Sequence, residues 1–381
     1  MVEYRVANDR DMDEIIDMIN MVFSMLRIPH NFPVLLPKVY APQTRISDIH
    51  VIAHEEGKLC GVFGLLPFPL KMAQETISCG YLGSMSVHPR ARGKGVMGEM
   101  CRRQIERGKE MGLDLLALGG QRQRYEHSGF AACGFRMRYT VTKANVRHAL
   151  HSTQAQQIAF RVLAQDGADA DYAFDLYSRQ IVAGARTREN FVLALQTYWN
   201  TPWLILCADE PAGYVMASGD GRDLLELVLE DETLLPAVLE AWLTEKNVSS
   251  ISLVTAQHEQ RRNICLARAA EGMSMAADEM FLCLNPQRVI KACMRLKQTA
   301  VPMEDGVFKL GFGDHGTLRI SVKDGEANVE KTQEEPDLAL DDQDAHSFVF
   351  GCDRSGWYAE DVRVPRGWFP LQLHIQEADR F

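Results

Sequence analysis

The residues with the clearest chemical character are Arg90-Ala91-Arg92-Gly93-Lys94-Gly95-Val96. Glycines in such a turn let the backbone fold closely around a ligand, where a side chain would intrude. The turn follows an apolar stretch from 81 to 87 and opens a helical run to 110. Successive backbone N–H groups and a helix N-terminus would then face one point. Arg90, Arg92 and Lys94 bring positive charge to it. The arrangement suits a pyrophosphate. It is not a Walker loop, because Gly-Lys-Ser/Thr is missing, and it is not a dinucleotide fingerprint, because the G-x-G-x-x-G spacing is missing.

Other chemistry-bearing residues form no such pattern. His50 and His54 sit in or beside an expected strand, where a spacing of four does not build a helical ligand pair. His148 and His151 fall in a linker. Neither pair has cysteines nearby, so no metal site is expected. The nine cysteines are scattered without a C-x-x-C pair, which fits reduced thiols in a cytoplasm. The start lacks the pattern of a signal peptide, and no apolar run approaches the ~20 residues that span a bilayer.

The 381 residues suggest two or three domains, and 24% charged residues suit a globular chain. The net charge of −10, with no long basic run, disfavours nucleic acid and favours cationic substrates.

Several elements must position the loop. Asn8 or Asp9 can cap a helix carrying Ile15, Ile16, Ile19, Val22 and Phe23 on one face. A proline-bearing segment follows, and 27–45 is expected to line the acceptor side. Strands are predicted at 51–54, 59–66 and 76–87. The helix after the loop places Met97, Cys101 and Ile105 along one stripe, with Met97 and Met100 in the core. A buried strand at 114–118, a short helix around Tyr125 and a strand near 135–141 close the first domain. The order then repeats. Helical segments cover 172–199, and strands follow at 203–208, 212–218 and 224–229. A helix at 234–246, a strand at 250–254, a helix at 257–270 and a strand at 280–284 complete the copy. Where the first copy has its basic loop, the second has Glu230-Asp231-Glu232, whose carboxylates would repel a pyrophosphate. Pro286 leads into a helix at 289–297, tight turns follow at 313–316 and 323–326, and an alternating strand is predicted over Leu371, Leu373 and Ile375.

The pattern R/Q-x-x-G-x-G/A, here Arg90-x-x-Gly93-x-Gly95, resembles the acetyl-CoA loop of GNAT acetyltransferases. The tail resembles a sterol-carrier-protein-like fold through Val322-Lys323-Asp324-Gly325 and Pro336-Asp337-Leu338. The whole chain looks like an Eis-type (enhanced intracellular survival) acetyltransferase. The resemblance implies an α+β chain of tandem GNAT folds, active at 1–147 and degenerate at 148–286, before a sterol-carrier-like domain at 287–381. It implies acetyl-CoA as cosubstrate, held by Arg90, Arg92, Gly93, Lys94, Gly95 and Val96 and by the backbone of Met85 and Val87. It implies a homo-oligomer, commonly a hexamer.

It also implies catalytic roles for Tyr125, in Tyr125-x-x-x-Gly129-Phe130, as general acid and for the α-carboxylate of Phe381 as base. A phenol of pKa about 10 can protonate a thiolate of pKa about 8.5 with an uphill step of ~2 kcal/mol. The carboxylate faces a larger gap, ~7 units or about 9 kcal/mol against an alkyl ammonium. Desolvation must narrow that gap. Otherwise the carboxylate holds the ammonium while water carries the proton. The expected reaction is N-acetylation of a primary amine: an aminoglycoside, a polyamine or a lysine-like acceptor. The alternative is an apolar-ligand-binding or regulatory protein with an inactive GNAT half. No membrane or nucleic-acid partner is expected.

Overall fold

The computed structural model describes residues 1–25, 28–150, 157–277, 279–352, 355–358 and 361–381. Residue 27 and His151 lie outside them. The chain separates into two compact units. The first holds Met1–Phe135, Ala277–Leu373 and Phe381, and the second holds Arg136–Ala276 and His374–Arg380.

The first unit is built on β1 (Val2–Val6), β2 (His50–Glu55), β3 (Lys58–Met72), β4 (Glu75–Val87), β5 (Leu115–Leu118) and β6 (Ala131–Ala132). Sheet order is β1-β2-β3-β4-β5, then Met280–Cys283, then β6. β1 is an addition to the sequence reading. It is short and half exposed, so its alternation carries little signal. Helix α1 (Met12–Ser24) is entered through an Asn8 capping box closed by the Asp11 side chain. The segment after it folds into two single turns, α2 (Phe32–Leu35) and α3 (Pro37–Tyr40), each with proline in its first turn, where the missing N–H costs nothing. Helix α4 (Val96–Glu110) lays Val96, Met100 and Cys101 into the core with Phe63, Leu116 and Tyr125. The short α5 (Arg122–Tyr125) ends on that tyrosine.

The second unit repeats the order. Its sheet runs Gly272–Ala276, Arg136–Thr142, Ser250–Thr255, Asp223–Leu229, Glu210–Ala217, Thr201–Cys207, Ile158–Val162. The architecture is therefore a mixed α/β tandem of GNAT folds.

Two strands are placed differently from the sequence order. Arg136–Thr142, expected to close the first copy, pairs in the second sheet with Ser250–Thr255. Met280–Cys283, expected to complete the second, pairs in the first sheet with β5. Each fills the position beside the fifth strand of its sheet. The reason is non-local: both segments read as strands, and only the partner strand decides which sheet they join.

Within the first unit the tail forms its own four-stranded sheet, Glu326–Thr332, Thr317–Lys323, Gly306–Phe312, Leu338–Leu340, with helices Pro286–Gln298 and Asp342–Phe350. Pro286 opens its helix rather than breaking the chain. The hairpin at Asp324-Gly325 has positive φ at both residues, as a two-residue turn requires. Leu371, Leu373 and Ile375 are fully buried, but the segment is not a strand and joins no sheet.

Candidate active site

β4 is where the first unit opens. Its pairing with β3 continues to Val87, whereas its parallel pairing with β5 ends at Leu82–Leu118. The register against β3 shifts between Val62 and Gly64, and Ser84 adopts a positive φ of 57°. That is a bulge on β4, which bends the strand away from its neighbour. The β5-facing edge of β4 from Gly83 to Val87, including Met85 and Val87, has no strand partner on that side among the described residues. Main-chain groups there are available to a ligand that pairs like a strand.

The loop follows directly. Gly93 and Gly95 have φ of 78° and 76°, and a Cβ at either would meet nothing within 4 Å. Their requirement is conformational rather than steric. Gly95 caps α4, and no side chain caps the helix N-terminus. The first-turn N–H groups and the helix dipole thus face outward, as an anion site needs. The cations differ in engagement. Arg90 donates to the Leu59 carbonyl at 2.9 Å, and Lys94 pairs with Glu55 at 2.7 Å. Arg92 is exposed and makes only a 3.5 Å contact to the Val87 carbonyl among the described residues. Val96 is buried under the loop and anchors it. On the strand itself, the Ser86 hydroxyl is buried without a hydrogen-bond partner among the described residues. An uncapped helix N-terminus, an unpaired strand edge and an unpaired hydroxyl on one strand-turn-helix fit a phosphorylated, amide-bearing cosubstrate.

Two other groups each lie near the end of β5. Tyr125 lies against Gly120, where an added Cβ would be 2.8 Å from its ring. Burial pushes its phenol up to about 12, with Cys101 adding to the rise. Phe381 lies against Gly83, the residue after the last β4–β5 pair: a Cβ there would stand 2.4 Å from a Phe381 carboxylate oxygen. Phe381 is only 4% exposed, so the chain end is docked rather than frayed. Its ring lies 6.1 Å from that of Tyr40 and 6.2 Å from that of His50.

Sequence reasoning missed several of these neighbours. Tyr81 donates to the buried Glu279 at 2.9 Å, and Glu279 immediately precedes Met280, the partner of Leu118. Tyr40 bonds to Ser84 at 2.8 Å and to His50 at 2.9 Å. The usable signal was Gly83-Ser84 inside a strand, since an isolated glycine there marks a bulge or a close approach.

In the second copy the equivalent turn is occupied by its own chain. Asp231 caps the Thr233 N–H at 2.9 Å, Glu230 pairs with Arg179 at 2.7 Å, and Glu232 pairs with Arg262. All three carboxylates are engaged within the second unit.

Residues 3–133 match the sequence profile of the acetyltransferase (GNAT) domain. The protein is an acyltransferase. No curated protein sequence matches it. Similar solved structures include Eis1 from Mycobacterium abscessus, at 16% identity and TM-score 0.68, covering 100% of both chains. GCN5-related N-acetyltransferases from Kribbella flavida and Anabaena variabilis follow at 15% identity each, with TM-scores of 0.66 and 0.64. The first covers 91% of this chain and 88% of its own, the second 91% and 89%. At such identities the likeness is one of fold, and it extends across both copies of the acyltransferase. Among the described residues no His/Cys/Asp/Glu group could hold a metal, and no helix is long and apolar enough to cross a membrane.

Proposed function

We propose that this acyltransferase moves the acetyl group of acetyl-CoA to a primary amine, in an aminoglycoside, a polyamine or a lysine-like acceptor, by direct attack on the thioester. The observation that carries the reading is the docked chain end: a carboxylate held against Gly83, beside the opening between β4 and β5. Acetyl-CoA would supply an activated acetyl group. The turn from Arg90 to Val96 would hold its pyrophosphate, with Arg92 the cation most available to it, and the main chain of Met85 and Val87 would hold its pantetheine arm.

The Phe381 carboxylate pairs with the incoming ammonium and receives its proton, directly or through water. The new bond is N–C, the broken bond is C–S, and Tyr125 donates its phenolic proton to the departing sulfur. With the phenol near 12, this donation is uphill by ~5 kcal/mol against a thiolate in water. The same burial that raises the phenol would raise the thiolate, and so narrow the gap.

The reading extends to a cytoplasmic hexamer and to a separate sterol-carrier-like module at 287–381, supported by the tail's own sheet. The test is CoA release across a panel of aminoglycosides, polyamines and lysine derivatives, with Tyr125→Phe and a Phe381 deletion alongside. Turnover that collapses in both variants supports both roles. A chain that fails to bind CoA refutes the reading and favours an apolar-ligand-binding protein.

A further inference from the structure

The seat of Phe381 is made by residues far from it in the chain. Gly64 and Gly83 face each other in register across β3 and β4, and His50 is the partner of Gly64 on β2. A Cβ at Gly64 would stand 2.3 Å from the Phe381 ring, and one at Gly83 would stand 2.4 Å from its carboxylate oxygen and 2.9 Å from its Cγ. Two missing side chains therefore make a floor cut to one ring and one carboxylate.

The walls are held by bonds that do not involve Phe381. His50 Nδ1 donates to the Ser47 carbonyl at 3.0 Å, which leaves Nε2 to accept from the Tyr40 hydroxyl at 2.9 Å. Burial keeps this imidazole neutral, with its pKa down to about 4. Tyr40 is bonded in turn to Ser84 at 2.8 Å, and its ring packs edge-on against Phe32. Side chains fixed in this way cannot fall inward when the ring is removed, and an unrelaxed apolar hole can take a small aromatic guest.

We infer that Gly64, Gly83, Tyr40 and His50 form an aromatic-carboxylate binding socket, filled in the intact chain by its own Phe381 and open to a free arylalkanoate when Phe381 is absent. The inference rests on the docked chain end, and its functional consequence rests on the proposed role of that carboxylate. The test uses the full chain lacking only Phe381, with 3-phenylpropanoate as the probe, because this acid is phenylalanine without its amino group.

Binding is read as a saturable rise in Tm. It is expected in the deleted chain and is expected to vanish when Gly83→Ala is added, since that methyl occupies the carboxylate's place. Gly83 has no positive φ, so alanine is tolerated by the backbone. Turnover is read separately. Binding with recovery of at least ~tenfold in kcat supports both the socket and the terminal-base role. Binding without recovery supports the socket and overturns the terminal-base role. No saturable binding in a deleted chain that still binds CoA overturns the socket. Should the deletion not fold, Phe381→Ala keeps the carboxylate and empties only the ring site. There toluene must raise Tm and 3-phenylpropanoate must not, and the reverse result overturns the inference.

Discussion

Tyr125 and Phe381 carry different burdens at the residue scale. A phenol near 12 stays protonated through the neutral and alkaline range. Removing its hydroxyl with Tyr125→Phe is expected to lower kcat by about 10²-fold with little change in KM, as for loss of a general acid. Steady-state kinetics on the best acceptor checks this. The sign of the pH effect follows from a folded pKa above the unfolded one: the stabilisation is complete below pH 10 and is lost as pH rises toward 12. The wild-type chain should therefore lose up to ~3 kcal/mol more than Tyr125→Phe across that window, read by denaturant titration at each pH. Gly83→Ala in the intact chain pushes on main-chain carboxylate atoms that have no rotamer to escape into. It should lower kcat by about 10²-fold, the cost of a displacement near 1 Å, while CoA affinity is retained. A fall in CoA affinity instead would place Gly83 in the cofactor site rather than under the terminus.

At the element scale the proposed cosubstrate site is the strand-turn-helix from β4 to α4, and its cations are unequal. Arg92→Ala should weaken CoA binding by about 10- to 100-fold, the worth of a charge-assisted hydrogen bond. Arg90→Ala should cost less affinity, because its guanidinium is already spent on the Leu59 carbonyl. Lys94 is held by Glu55, whose pKa is lowered mainly by that hydrogen bond. Glu55→Gln releases the lysine and should tighten CoA binding by about two- to fivefold, with little change in stability, as expected for an exposed pair. Isothermal titration across these variants gives the ranking. The loop itself was legible in the sequence because its signal is local: two glycines with positive φ, a strand before and a helix after. The bulge at Ser84 was not, because a serine forced into the left-handed region is recognised only from the register it breaks.

At the scale of the whole molecule, the second unit contains a buried charge cluster that holds the returning chain. Arg186 is fully buried and donates to Glu226 at 2.7 and 2.8 Å, to Asp379 at 2.7 Å and to Gln376 at 2.9 Å. Tyr214 donates to the same Glu226 at 2.7 Å, and the guanidinium lies 4.2 Å from the Tyr177 ring centroid. Arg186→Met strands two buried carboxylates and should destabilise the unit by about 3–5 kcal/mol. Adding Glu226→Gln and Asp379→Asn should recover most of that loss, because the cost lies in the unpaired charges. Urea denaturation of the single and triple variants separates this from a loss of packing, which the triple variant would not repair.

The sequence by itself determined what is encoded within a few residues: the glycine turn and its cations, the placement of Tyr125 in a short helix, the repeat of the element order, and the acidic turn of the second copy. Tertiary structure decided which sheet receives Arg136–Thr142 and which receives Met280–Cys283, and where the chain end comes to rest. The physical reason is the same in each case. A strand's period states which face is apolar but not which neighbour it will pair with. A terminal phenylalanine states that it will be buried, but not that two glycines, Gly64 and Gly83, some 300 residues earlier have left room for it.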